Sequence, residues 1–139
     1  MRRTIAACLA AYLVFMLTIT LLILPMDHPS PNLVPFRSMA HDWRVGGRSF
    51  LVNFVGNIVA FMPFGLMIPL VRSRPTTVPE IALAGAVLSG SIELMQYATG
   101  RRVGDVDDVL LNTLGMLVGF AAFRAIRAGV RRQTRGRRA

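Results

Sequence analysis

Four apolar stretches separated by polar ones organise the chain. Thr4 to Leu24 is cleanly apolar; Leu51 to Val71, Pro79 to about Ala98 and Val106 to about Ile126 each carry Asn, Glu, Gln or Pro inside them. About 20 residues rising 1.5 Å each cross a hydrocarbon core of roughly 30 Å. The pattern therefore predicts an all-α, polytopic membrane protein with four transmembrane helices. Arg2 and Arg3 precede the first stretch, as they would in a secretory signal. Its apolar run is about twice the usual signal length and no small-x-small site follows, so a retained helix is expected. The links 72–78 and 99–105 are seven residues each, which makes consecutive segments two, three and four antiparallel neighbours. The loop 25–50 holds Pro25, Pro29, Pro31 and Pro35; it should be irregular and lie back on the bundle, with Trp43 as an interface anchor. The expected divisions are a first helix over 1–24, a domain over 25–126 comprising that loop and three helices, and a basic tail over 127–139.

The polar positions inside the apolar segments gather at one depth. Asn53 and Asn57 open segment two, Glu93 and Gln96 close segment three, and Asp105, Asp107, Asp108 and Asn112 open segment four. With alternating directions, all of them fall in the same half of the membrane. At 100° per residue they also form stripes: Asn53, Gly56, Asn57 and Ala60; Gly85, Ser89, Glu93 and Gln96; Asp105, Asp108, Asn112, Gly115 and Gly119. Small residues in such stripes allow close approach, and amides pair across it. Asp107 falls off its stripe, beside Leu111, Leu114 and Val118, and should point to the headgroup layer. Pro63 leaves the Val59 carbonyl without its helical donor and should kink segment two. Asp105 and Asp108 also fit an N-cap with an acid at the third position.

Composition sharpens the picture. Hydrophobic residues make up 53% of the chain and charged ones 17%, too apolar a balance for a soluble domain of 139 residues. All 16 cations are arginines, and seven lie between Arg124 and Arg138, directly after segment four. That placement is what the cytoplasmic flank of a membrane helix looks like, so nucleic acid is not an expected partner. With the N-terminus inside, eleven arginines fall on the inner side and five on the outer, which puts both termini in the cytoplasm. Cys8 has no partner for a disulfide within the chain, and neither His28 nor His41 has metal-ligand spacing. A carboxylate inside a membrane segment is a functional candidate by default, which singles out Glu93, with Arg101, Arg102 or Arg37 as its expected ion-pair partner.

Four blocks carry a family resemblance: "PNLVPFRS" at 31–38, "NFVGNIVAFMPFGLMIP" at 53–69, "SGSIELMQY" at 89–97 and "GRRVGDVDDVLLNTLG" at 100–115. In this order they resemble the signature blocks of the VanZ-like membrane proteins, a family named for a protein linked to low-level teicoplanin resistance. The motif positions matched are Asn32, Pro35, Phe36, Asn57, Pro63, Gly65, Glu93, Gln96, Arg101, Asp105, Asp108, Asn112 and Gly115. The resemblance implies a role at the cell envelope and no particular reaction.

The leading expectation is a cytoplasmic-membrane protein with a polar binding site opening to the outer face. Glu93, Asp105, Asp108, Asn57, Asn112, Arg101, Gln96 and Arg37 are its candidate residues. Arginine suits a phosphate or carboxylate, so an envelope lipid, a lipid-linked precursor or a glycopeptide is the ligand class. The carboxylates could hold a divalent cation through oxygen ligands. Two alternatives stand beside this reading. One is an enzyme acting on lipid-linked envelope intermediates, with the acids as general base and metal ligands, although Ser89 and Ser91 have no nearby His or Lys in the pattern. The other is a non-catalytic subunit of a membrane assembly docked through its glycine faces.

Overall fold

The structure, a computed structural model, describes residues 1–20, 31–99 and 104–136, and among them it is helical with one isolated bridge. The helices are α1 (Arg2–Thr18), α2 (Arg37–Val45), α3 (Gly47–Phe50), α4 (Gly56–Val71), α5 (Val78–Ala98) and α6 (Val106–Gly136). A π-helical turn, Leu51–Val55, joins α3 to α4. Among the described residues, three helical stretches are long and apolar enough to cross a membrane: Leu51–Val71, Val78–Ala98 and Val106–Thr134. These match expected segments two to four. The four-span count is not established, because α1 covers 17 residues and positions 21–24 of the first segment lie outside the described residues.

Local chemistry explains the helix boundaries. Thr77 and Glu80 form a capping box at the start of α5: the Thr77 N–H donates to the Glu80 carboxylate at 2.9 Å. Asp105 caps α6, accepting the Asp107 N–H on Oδ1 at 2.9 Å. Gly46, at φ 145°, separates α2 from α3 with a backbone conformation that side chains disfavour. Loop 25–50 is therefore not irregular throughout: residues 37–45 and 47–50 are helical. Pro25 and Pro29 lie outside the described residues.

Contacts between helices settle their directions. Ile58 and Met62 of α4 meet Gly115 and Gly119 of α6 in the same order, so α4 and α6 run parallel. Gly85, Ser89 and Glu93 of α5 meet positions 113–116, Asn112 and Asp105 of α6 in descending order, so α5 is antiparallel to α6. The α4–α6 contact is backbone against backbone. A Cβ on Gly119 would lie 2.0 Å from the Met62 carbonyl oxygen, on Gly115 2.3 Å from that of Ile58, and on Gly65 1.9 Å from that of Met116. Only hydrogen fits these positions, and lipid offers no hydrophobic drive between helices, so close packing of this kind holds them together.

The core is Phe61, Phe64, Ile81, Ile92, Met116 and Phe120, flanked by Leu9, Tyr12, Leu13 and Met16 of α1. Leu83, Val87 and Leu94 are exposed on the outside of α5, as lipid-facing residues should be. α4 continues through Pro63 and Pro69. The Tyr12 hydroxyl donates to the Ala60 carbonyl at 2.9 Å, one residue beyond the Val59 carbonyl whose helical donor Pro63 removes, and so ties α1 to α4 there.

Candidate functional site

At the α6 N-terminal end, the segment 31–39 is pinned to α6. The Asn32 backbone pairs with both sides of Asp105: its N–H donates to the Gly104 carbonyl, and its carbonyl accepts the Val106 N–H, each at 3.0 Å. The Asn32 amide donates to Asp105 Oδ1 at 2.9 Å and to Ser38 Oγ at 2.8 Å. The Ser38 hydroxyl in turn donates to Asp105 Oδ2. The side-chain oxygen of Asn32 accepts the Val34 N–H at 3.2 Å, an Asx turn leading into Pro35.

Asp107 completes this clamp. Its carboxylate accepts the N–H of Phe36 on Oδ1 and those of Ser38 and Met39 on Oδ2, the latter two at 2.9 and 3.2 Å. These are the open donors at the start of α2, so an aspartate on α6 caps a helix in another part of the chain. Phe36 has φ 67°, a left-handed conformation uncommon for a phenylalanine, and its N–H is one of the three that Asp107 gathers. Asp107 is 1% exposed. The expectation that it points to the headgroup layer is thus wrong. The periodicity of α6 alone cannot see that the preceding loop covers that face.

The remaining polar residues lie around this clamp and below it. Glu93 Oε2 accepts the Asp105 N–H at 2.8 Å, tying the end of α5 to the cap of α6. Asn57 donates to Asp108 Oδ1 at 2.6 Å, tying α4 to the first turn of α6. Glu93 and Asp108 are partly buried and make further interactions. One turn deeper, Asn112 donates to Ser89 Oγ at 2.8 Å, and both side chains are buried. Asn53 leaves the stripe shared with Asn57 and instead donates to Asp42 of α2 at 2.6 Å.

Of the eight candidate residues, Glu93, Asp105, Asp108 and Asn57 come together at one end of the bundle, with Asn112 below them. Gln96 does not join them: it is 1% exposed and donates to the Thr20 carbonyl of the α1 end at 3.4 Å. Arg37 is exposed at the start of α2. Arg101 and its neighbour Arg102 lie outside the described residues. Among the described residues, no three His, Cys, Asp or Glu side chains are grouped so as to hold a metal ion. Asn112 Oδ1 and Gln96 Oε1 are buried without a hydrogen-bond partner among the described residues.

Pattern reading missed Ser38, Ser89 as a partner of Asn112, Tyr12 and the capping role of Asp107. The Asn-x-x-Pro turn signal at 32–35 was present in the sequence; the long-range partners of Asp107 had no local signal.

Known proteins place the chain in a family. The VanZ/LLP1 family model matches residues 5–127. Protein VanZ of Enterococcus faecium is 27% identical over 94 residues, which cover 68% of this chain and 52% of that protein. The chain thus spans about half the length of this curated relative. No solved structure matches. With nearly the whole helical region inside the family match, and the Asn32, Glu93 and Asp105 to Asn112 blocks folding into one polar end, the chain belongs to the VanZ/LLP1 family.

Proposed function

We propose that the chain is a four-span protein of the cytoplasmic membrane, with both termini in the cytoplasm and its polar end facing outward. There it binds a cell-envelope component: an envelope lipid, a lipid-linked precursor or a glycopeptide. The observation that carries this reading is the convergence of Glu93, Asp105, Asp108 and Asn57, from three helices, at one end of the bundle. The sequence adds Arg101 and Arg102 within four residues of Asp105, guanidinium groups suited to an anionic ligand. The arginine count favours the opposite end as cytoplasmic, which leaves the polar end outside.

The resemblance to the VanZ-like proteins selects the first test. The chain, tagged for quantification, is expressed in a teicoplanin-susceptible Gram-positive host. Wild type should raise the inhibitory concentration of teicoplanin, and Asp108→Asn or Glu93→Gln should abolish the rise at equal membrane levels. A rise unchanged in both variants, or none with wild type well expressed, would overturn the reading.

A further inference from the structure

The opposite end of the bundle holds a different arrangement. The link between α4 and α5, the start of α1 and the last turns of α6 enclose an open cleft of about 1390 Å³. Among the described residues, six arginines line it: Arg2, Arg72, Arg74, Arg124, Arg127 and Arg131. Glu80 pairs with two of them, Arg72 at 2.9 Å and Arg74 at 3.1 Å. Among the described residues, Arg2, Arg124, Arg127 and Arg131 have no carboxylate within ion-pair distance. Arg124 lies over the Phe120 ring and Arg127 over the Phe123 ring, each 6.0 Å from the centroid. The aromatic rings thus favour this direction for two exposed guanidinium groups.

The floor of the cleft is apolar, with Leu66, Leu70, Phe120 and Phe123, and Ile126 and Val130 stand exposed beside the arginines. Depth along α6 explains this mixture. About 20 residues from Val106 exhaust the hydrocarbon thickness near Ile126, so Arg124, Arg127 and Arg131 straddle the boundary between the hydrocarbon and the phosphate layer. Arginine forks match phosphate oxygens in two-point contacts, and apolar side chains one turn away match acyl chains. A soluble polyanion would use the charge and leave the apolar floor uncovered. The geometry points to a binding site for an anionic glycerophospholipid in this cleft, its phosphate held by Arg124, Arg127 and Arg131 and its acyl chains against Phe123, Ile126 and Val130. The site is separate from the polar end, and binding to purified protein does not depend on which end faces outward.

The test uses the full chain, recovered from nanodiscs holding equal phosphatidylglycerol and phosphatidylcholine, with retained lipid counted by native mass spectrometry. Wild type should retain phosphatidylglycerol in preference to phosphatidylcholine. The pair Arg124→Gln with Arg127→Gln should lower that retention about tenfold. Arg3→Gln with Arg132→Gln removes equal charge from exposed positions outside the cleft and should change it less than about twofold. Equal losses in the two pairs would mean diffuse charge attraction and overturn the site, as would equal retention of both lipids by wild type. A second readout needs no variant. Short-chain phosphatidylglycerol should bind wild type and resist displacement by the same concentration of inorganic phosphate; displacement would overturn the lipid assignment.

Discussion

The two ends of this bundle concentrate charge in opposite ways. At the end where α6 begins, carboxylates are turned inward and met by N–H and O–H donors: Asp105 by Asn32, Ser38 and Asp107, and Asp107 by three backbone amides of the loop 31–39. At the end where the link joins α4 to α5, Glu80 holds Arg72 and Arg74, while Arg124, Arg127 and Arg131 project from α6 into an open cleft. Burial of a charge is tolerable only with such a set of partners. The acidic end therefore uses its charge largely to fasten a loop to the bundle, and the basic end keeps its charge available. Charge at a membrane edge has no single meaning; the partners of each group decide it.

The most damaging change should strike the contact on which both ends depend. Gly119→Ala places a methyl group against the Met62 carbonyl, with backbone on both sides and no flexible side chain to yield. We expect a loss of about 3 kcal/mol or more, read as lost folded yield and a lowered unfolding midpoint in detergent. Wild-type stability in the Gly119→Ala variant would contradict the observed α4–α6 contact. Next comes Asp107→Ala, which strips three backbone donors of their acceptor at a cost of about 2 kcal/mol. Hydrogen exchange should rise at residues 36–40 and stay unchanged at 72–80; equal changes at both ends would erase the contrast between them. The smallest effect on stability belongs to Arg124→Gln with Arg127→Gln, under about 0.5 kcal/mol, because both side chains are exposed. Their loss should be felt in lipid retention instead.

Much of this was legible in the chain. Apolar length predicted the three long spans, and the alternation of direction predicted that Asn57, Glu93 and Asp108 would share a level. Glycine spacing marked a face of α6 for close approach, and the helix that comes against Gly115 and Gly119 is α4. Helical periodicity describes one helix at a time, however, and fails where a distant loop covers a face. Asp107 and Leu111 read as outward on α6, yet both are buried. Gln96 shared a stripe with Glu93, yet a difference of three residues rotates it far enough to meet α1. The loop 31–39 owes its conformation to acceptors about 70 residues away, so no local propensity announces it.

The proposed separation of an outward polar end from an inward basic end is best tested by sidedness. In a Cys8→Ser background, single cysteines replace Arg44 on α2 and, separately, Arg74 in the link before α5, and intact cells are treated with a membrane-impermeant maleimide. The position 44 cysteine should be labelled in intact cells and the position 74 cysteine only after permeabilisation. The reverse pattern, or labelling of both in intact cells, would contradict the proposed separation.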